Sequence, residues 1–333
     1  MQPKSRVRKI RAGFAALLAG LMVFTLLPTA SVAQQVRLRL VTFATPNTHW
    51  HQTATRFKEL AESKSGGKIR MTLDHSGATG DWPQVIEAVL IGTTDVVLES
   101  IGTLDRYTTI AGVESYPYLV KDIEHFKKVY YGPIGKELFK AISDSSGFHI
   151  AGAAYRGARH LSTSKPVANA DELKNIKIRV PPLKMYRRTW ELLGTSVVPM
   201  GVDELFTSLQ QKLVDGQENP LEVLIRQKYY EVQKYVVETA HIMGAYTFIF
   251  SKTRFNSLSE EYRKLLVESA EQATLEATER MVKTEESLKA DLIKLGMEFK
   301  PIDRAVLQAR LAPLPNDFPE LAAWVKRIQE SAK

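Results

Sequence analysis

An arginine at the end of a predicted strand offers the clearest binding chemistry in this sequence. Lys177–Val180 alternates charged and apolar side chains, which predicts a strand with Arg179 and Lys177 on one face. Pro181-Pro182 ends that strand, because proline cannot supply a ladder N–H. Open α/β sheets bind ligands at such strand ends, and a guanidinium fork can donate two parallel hydrogen bonds to a carboxylate. A solvated arginine in a surface ion pair is the alternative.

A second candidate binding segment follows a predicted helix, at Asp215–Pro220. Gly216 is interpreted as a turn residue with positive φ. Asn219 precedes Pro220 and is therefore held extended. Its amide can donate to a ligand oxygen, or its side chain can cap the next helix.

The motifs of common enzymes do not occur in this sequence. There is no G-x-S-x-G elbow, no G-x-G-x-x-G and no P-loop; Gly132–Lys136 has the wrong spacing for one. The absence of cysteine excludes a thiolate zinc site, a disulfide scaffold and a cysteine nucleophile. His49 and His51 can share a metal only on a strand, since positions i and i+2 diverge on a helix. We therefore predict no enzymatic activity, no cofactor and no metal.

The N-terminal 33 residues have the order of a secretory signal peptide. Basic residues come first, then the apolar run Ala12–Leu27, then the small residues Ala30–Ala33. The run is shorter than the roughly 20 residues of a membrane span, although an uncleaved anchor is the alternative. Cleavage after Ala33 leaves 40 basic and 37 acidic residues, a net charge of +3 instead of +8. We therefore expect a soluble periplasmic protein without a nucleic-acid partner.

Two α/β units follow this segment, without a sequence repeat between them. In the first, strands are predicted at 36–43, 69–73 and 95–98, and helices at 49–63 and 82–91. In the second, strands are predicted at 149–154, 176–180 and 196–198, and helices at 184–193 and 203–214.

A long helix is predicted near the C-terminus, because no proline or glycine occurs between Ser259 and Gly296. Thirty-odd helical residues extend on the order of 50 Å, more than one small domain. A strut across both domains is the favoured interpretation. A coiled-coil partner helix is the alternative, although the polar stretch Lys283–Ser287 interrupts the heptad.

Several motifs together resemble the solute-binding subunit of TRAP transporters, the tripartite ATP-independent periplasmic systems of the DctP-like family. The resemblance extends over nearly the whole chain after residue 33. The motifs are Ser65–Ile69, Gly157–Arg159, Lys165-Pro166, Ala170–Lys174, Ile176–Pro181, Pro199-Met200, Glu204–Phe206, Leu209-Gln210, Val214–Leu221, Glu231–Tyr235 and His241.

This resemblance implies an α/β protein of two lobes, with a ligand cleft between them and a long helix spanning both. Lobe I would comprise residues 34–156 and 245–284, and lobe II residues 157–244 and 285–333. In the family the ligand carboxylate meets the arginine that matches Arg179, assisted by Arg159 and Asn219. Positions that face the ligand from the first lobe correspond here to Ser100, Asp81, Trp82, His49 and Trp50.

One position departs from the family pattern. Many members carry an aromatic residue after the Pro-Met pair, whereas this chain has Gly201-Val202. Trp82 or Trp50 can replace that aromatic ring, or either can belong to the core. Dicarboxylates, sugar acids, 2-oxo acids and aromatic acids all stay open as ligands, and the tryptophans favour one bulkier than a small dicarboxylate.

The predicted function is to bind an organic acid anion outside the cytoplasm, as a monomer, and to deliver it to the small and large membrane subunits of a TRAP permease. A sensory protein that presents the ligand to a receptor is one alternative. A secreted hydrolase or lyase is another, because a fold alone does not fix function.

Overall fold

The computed structural model describes residues 35–46, 48–75 and 81–332. The predicted signal peptide, residues 1–33, lies outside these ranges. No helix in them is both long and apolar enough to cross a membrane.

Ten strands occur in the described ranges. They are β1 (Val36–Thr42), β2 (Ile69–Asp74), β3 (Val96–Ser100), β4 (Phe148–Thr163), β5 (Lys177–Val180), β6 (Ser196–Pro199), β7 (Gly216–Pro220), β8 (Tyr235–Val237), β9 (Met243–Ser251) and β10 (Glu298–Lys300).

Twelve α-helices connect and cover these strands in the same ranges. They are α1 (His49–Lys64), α2 (Trp82–Leu90), α3 (Ile123–Tyr130), α4 (Pro133–Ser145), α5 (Lys184–Leu192), α6 (Leu205–Gln210), α7 (Leu221–Arg226), α8 (Lys252–Asn256), α9 (Glu260–Lys294), α10 (Arg304–Arg310), α11 (Leu314–Asp317) and α12 (Ala322–Glu330).

The strands form one sheet in the order β2-β1-β3-β9-β4-β7-β5-β6, with β8 on β4 and β10 on β8. Three parallel strands lie at each end. At the first end they are the three predicted strands. At the second end they are β5, β6 and the unpredicted strand β7, because β4 pairs antiparallel. The antiparallel strands β9 and β4 join these two halves. The fold is therefore the predicted two-lobed α/β fold, but the two units are continuous through a shared sheet.

The central strand β4 is much longer than predicted, with 16 residues. Its pairing with β9 shifts register between Ala151 and Ala154 and again between Tyr155 and Ala158. The helix α9 supplies the missing acceptors there: the Tyr155 N–H donates to Thr278 Oγ1 (2.9 Å) and the Ala158 N–H to Glu285 Oε1 (3.0 Å). The irregular centre of the sheet is thus held by the long helix.

The helix α9 has 35 residues, so it extends on the order of 50 Å. It packs on α1, β4 and α7. Its buried apolar positions, such as Leu266, Met281 and Leu292, belong to three different hydrophobic clusters of the same chain. The prediction of a strut is therefore confirmed over that of a coiled-coil partner.

Two local predictions for the segment before α7 are wrong. Gly216 lies in β7 without a positive φ, and it is needed for close approach: a Cβ there would lie 2.4 Å from the Ser162 carbonyl oxygen. Asn219 does not cap α7, because it pairs with His160 in the sheet and Pro220 holds the cap position.

The predicted helix over 203–214 is also too long. Lys212 adopts a left-handed conformation with φ 58°, so α6 ends at Gln210.

Candidate ligand-binding site

A cleft of about 690 Å³ lies beside the ends of β3, β5 and β7. Eight of the nine predicted site residues line it. They are Trp50, Asp81, Trp82, Ser100, Arg159, Arg179, Val202 and Asn219.

His49 is the exception among the predicted site residues. It does not line the cleft; its Nε2 lies 3.2 Å from Thr284 Oγ1 on α9. His49 and Trp50 are adjacent on α1, where successive side chains point about 100° apart, so only Trp50 reaches the cleft. The helix also keeps His49 and His51 from sharing a metal ion. No cluster of three or more possible metal ligands occurs in the described part of the chain.

Arg179 is a buried cation without a carboxylate partner among the described residues. Its side chain is 3% exposed, and both Nε and Nη2 donate to the Met200 carbonyl oxygen, at 2.9 and 2.6 Å. Burial lowers the pKa of Arg179, and the charges of Glu218 and Asp81 oppose this shift only in part. The predicted alternative, a solvated arginine in a surface ion pair, is therefore wrong.

Arg159, in contrast, is neutralised by the protein. Its Nε and Nη2 donate to the two Glu218 carboxylate oxygens, at 2.5 and 2.7 Å, and Nη2 also donates to the Glu218 carbonyl oxygen. His241 Nε2 lies 3.1 Å from the same carboxylate. Burial opposes the ionisation of Glu218, but the charge of Arg159 and these hydrogen bonds lower its pKa to about 2. Only Nη1 of Arg159 has no hydrogen bond to another described residue.

Arg156 also lines the cleft and was missed by the sequence analysis. It is half-buried, its Cζ lies 5.2 Å from the Trp50 ring centroid, and its Nε has no hydrogen-bond partner among the described residues. Trp50 in turn stacks on Tyr246 at 4.5 Å. In a regular strand Arg156 and Arg159 would face opposite sides, but the register shift at Gly157 brings both to the cleft.

Two hydroxyls at the end of β3 can only accept hydrogen bonds from a ligand. The Ser100 hydroxyl donates to Glu114 Oε2 (3.1 Å), and the Thr103 hydroxyl donates to the Ser100 carbonyl oxygen (2.6 Å). Each hydroxyl has a single proton, so only its acceptor positions remain for a ligand. Glu99 also lines the cleft, and burial raises its pKa to about 7.

Asn219 supplies another acceptor on the opposite wall. Its Nδ2 donates to Gln217 Oε1 at 2.6 Å, which leaves Oδ1 without a donor among the described residues. One of the two amide N–H groups of Asn219 is thus used within β7, which leaves one for the predicted hydrogen bond to a ligand.

Asp81, at the start of α2, lies close to Gly201, which follows β6. Asp81 caps α2 by accepting from the Trp82 N–H at 2.7 Å, and a Cβ on Gly201 would lie 3.4 Å from Asp81 Oδ2. Trp82 is largely buried, with the Arg106 Cζ 5.6 Å from its ring centroid. Because Gly201 has no side chain, Asp81 can approach it closely.

A cleft between two lobes, with a buried arginine that forms no ion pair in the described ranges, is typical of a binding protein for an anionic solute. The chain belongs to the bacterial extracellular solute-binding protein family 7, the DctP family, whose model matches residues 40–320. The family's solute-binding proteins serve TRAP transport, and they are binding proteins rather than enzymes.

Three relatives illustrate this similarity. A solute-binding protein of Verminephrobacter eiseniae is 31% identical over 291 residues, which is 87% of each chain. A TRAP periplasmic protein of Polaromonas, solved bound to D-erythronate, is 30% identical with a TM-score of 0.83, covering 89% of this chain and 98% of that one. One of Roseobacter denitrificans, solved with L-galactonate, is 28% identical with a TM-score of 0.83, covering 89% and 99%.

Proposed function

We propose that this protein captures an organic acid anion in the cleft and delivers it to a TRAP permease. The observation that carries the proposal is Arg179, which is buried at the cleft and has no carboxylate partner in the described ranges. A buried cation of this kind is costly unless an anion compensates it. A ligand carboxylate is the natural partner, because it can accept two parallel hydrogen bonds from a guanidinium.

Sugar acids are the ligand class that the site favours. The two solved relatives contain D-erythronate and L-galactonate, each a carboxylate with a hydroxylated chain. Hydroxyl groups are donors as well as acceptors, so they complement the Ser100 and Thr103 hydroxyls and the Glu99 carboxyl group. An aromatic acid without hydroxyl groups has no donors for these groups, and a small dicarboxylate would place a second charge near Glu99.

A thermal-shift screen of organic acids tests this function, because a ligand that binds only the folded protein raises its melting temperature. Sugar acids, 2-oxo acids, dicarboxylates and aromatic acids should be compared at equal concentrations. Arg179→Ala is the control variant. The proposal expects stabilisation by a sugar acid that this variant loses. No response to any acid, or an equal response of the variant, would contradict it.

The remaining parts of the proposal concern partners and location. We infer that the signal peptide directs the chain to the periplasm, where it acts as a monomer and docks on the small and large membrane subunits. Neighbouring genes for two such subunits, rather than for a sensor kinase, would distinguish transport from the sensory alternative. Incubation with candidate acids and analysis for turnover would detect a hydrolase or lyase.

Ligand binding should bring the two lobes together. Arg159, Arg179 and Asn219 would belong to lobe II (157–244 with 285–333), whereas Ser100 and Trp82 would belong to lobe I (34–156 with 245–284). A ligand that contacts both lobes favours the closed state by its additional contacts there. Small-angle X-ray scattering should therefore give a smaller radius of gyration at saturating ligand. An unchanged radius would argue against closure.

The exported protein should begin at Gln34. The order of basic, apolar and small residues before it predicts cleavage after Ala33. N-terminal sequencing or intact-mass measurement of protein from the periplasmic fraction checks this. Recovery of the chain with Met1 still present would contradict it and favour the uncleaved anchor.

A further inference from the structure

Two opposite charges line the cleft without forming an ion pair. Arg156 has no carboxylate partner, and its Nε makes no hydrogen bond within the described ranges. Glu99 is nine-tenths buried, and Oε1 accepts only from the Ser100 N–H at 2.7 Å. The described residues therefore leave hydrogen-bonding atoms of both Arg156 and Glu99 without partners. Burial of polar atoms without partners costs folding free energy.

Both groups lie in a different part of the cleft from Arg179. Glu99 is near the end of β3, whereas Arg179 is on β5, the fourth strand further along the sheet. Arg156 stands on β4 over Trp50, which stacks on Tyr246. Because its guanidinium packs on Trp50 of α1, Arg156 lies on the side of the cleft that β3 and α1 form. A ligand held by its carboxylate at Arg179 would therefore place its other end near Arg156 and Glu99.

The chemistry of that other end follows from the two charges together. A hydroxyl group can accept from Arg156 and donate to Glu99, so neighbouring hydroxyls satisfy both residues. A second carboxylate can also accept from Arg156, but it has no proton to donate to Glu99. Above about pH 7, where Glu99 is ionised, such a carboxylate meets a like charge in a largely dry site. Repulsion of an unwanted group is a common source of specificity.

We propose that Arg156 and Glu99 select ligands whose distal end is neutral and hydroxylated, and exclude ligands with a second carboxylate there. This inference rests on the proposed function, in which Arg179 holds the first carboxylate. It assigns Arg156 as a second ligand-binding arginine beside the neutralised Arg159. It also assigns Glu99 the role of rejecting diacids.

Matched pairs of ligands test the selectivity directly. L-galactonate and galactarate differ only in the oxidation state of C6, and D-erythronate and meso-tartrate only in that of C4. Isothermal titration calorimetry of the intact protein at pH 8.5, where Glu99 is ionised, should give at least about tenfold tighter binding of the monoacid than of the diacid in the pair that binds better. Equal or tighter binding of the diacid would overturn the proposal.

Substitutions separate the roles of the two residues. Glu99→Gln keeps the shape of the side chain but removes its charge. The diacid should then bind more tightly, so that the ratio of monoacid to diacid affinity falls at least about tenfold. Arg156→Gln should weaken monoacid binding about tenfold or more, and it should not help the diacid. Glu62→Gln is the control, because Glu62 is a half-buried glutamate on α1 that accepts from the Met71 N–H and does not line the cleft. A monoacid preference unchanged in Glu99→Gln would overturn the proposal.

The pH dependence of the wild-type preference gives a second measurement that needs no variant to fold. Burial raises the pKa of Glu99 to about 7, while the charged groups facing it are Arg156 on β4, Asp81 at the start of α2 and Arg226 on α7. Sugar diacids remain ionised above about pH 6. The monoacid preference should therefore decrease as the pH falls from 8.5 to 6, and this decrease should be absent in Glu99→Gln. A preference that does not change with pH would contradict the role of Glu99.

Failure of this inference differs from failure of the proposed function. If sugar acids bind through Arg179 but monoacids and diacids bind alike, only the selectivity by Arg156 and Glu99 is wrong. If no acid binds, or if Arg179→Ala binds normally, the proposed function is wrong and this inference falls with it.

Discussion

Replacement of Arg179 by alanine is expected to weaken binding of the ligand acid by about 30-fold to several thousand-fold. Removing one partner of a buried, hydrogen-bonded ion pair costs about 2–5 kcal/mol, much of it from leaving the other charge unpaired. Arg179 is buried, and no described carboxylate replaces the ligand. Isothermal titration with the best acid from the thermal-shift screen measures the loss.

Two further variants identify the source of that loss. Arg179→Lys keeps the charge but lacks the planar fork, so it should recover only part of the affinity. Asn219→Ala should cost less, about 1–3 kcal/mol, because it removes one neutral hydrogen-bonding group. A folded Arg179→Ala protein that binds within a few-fold of the wild type would end the interpretation of Arg179 as the carboxylate anchor.

The second large effect is on stability and concerns Glu218. This side chain is fully buried and compensates Arg159 through two hydrogen bonds. Glu218→Ala would leave a buried guanidinium without its counter-charge, which costs about 3–5 kcal/mol. The free energy of unfolding, measured in urea, should fall by that amount.

A double variant is the control for this stability prediction. Arg159→Met combined with Glu218→Leu removes both charges and refills their volume, so it should be more stable than Glu218→Ala alone. A loss below about 1 kcal/mol in Glu218→Ala, as for an exposed pair, would contradict the assignment of a buried ion pair.

The same carboxylate predicts how stability depends on pH. The folded state lowers the pKa of Glu218 from 4.5 to about 2, mainly through Arg159 acting against burial. The unfolded chain therefore takes up this proton at a higher pH, so the stabilisation is present above about pH 4.5 and is lost as the pH falls toward 2. The Glu218→Gln variant cannot take up this proton. Its free energy of unfolding, measured over the same pH range, should therefore lack this part of the decrease at low pH.

Much of the fold follows from local sequence patterns, whereas its centre does not. The alternation in 36–43 and the unbroken run before Gly296 each predict an element that the structure contains. The strand β4 was predicted too short and β9 was not predicted at all, because their pairing depends on residues far apart in the chain and is interrupted twice. Local periodicity carries no signal for such pairing.

The candidate site, like the fold, could be predicted from the sequence only in part. Arg179 was found because a proline pair marks the end of its strand, and it lies in the cleft. Arg156 was missed because the register shift at Gly157 changes which side it faces. Glu99 was missed because the sequence does not distinguish a glutamate that faces a cleft from one that only stabilises a buried strand. His49 does not line the cleft, whereas Trp50 does, because adjacent side chains on a helix point about 100° apart.

The central place of β9 in the sheet has a consequence for how the chain folds. β3 lies between β1 and β9, and Val96 of β3 pairs with Phe250 of β9. These partners are about 150 residues apart, and such distant contacts slow folding because a long loop must close first. Until β9 is in place, the strand β3 has one unpaired edge, to which a strand of another chain can bind. Early refolding intermediates should therefore aggregate through this edge, and the sheet acquires its protection only with the last third of the polypeptide.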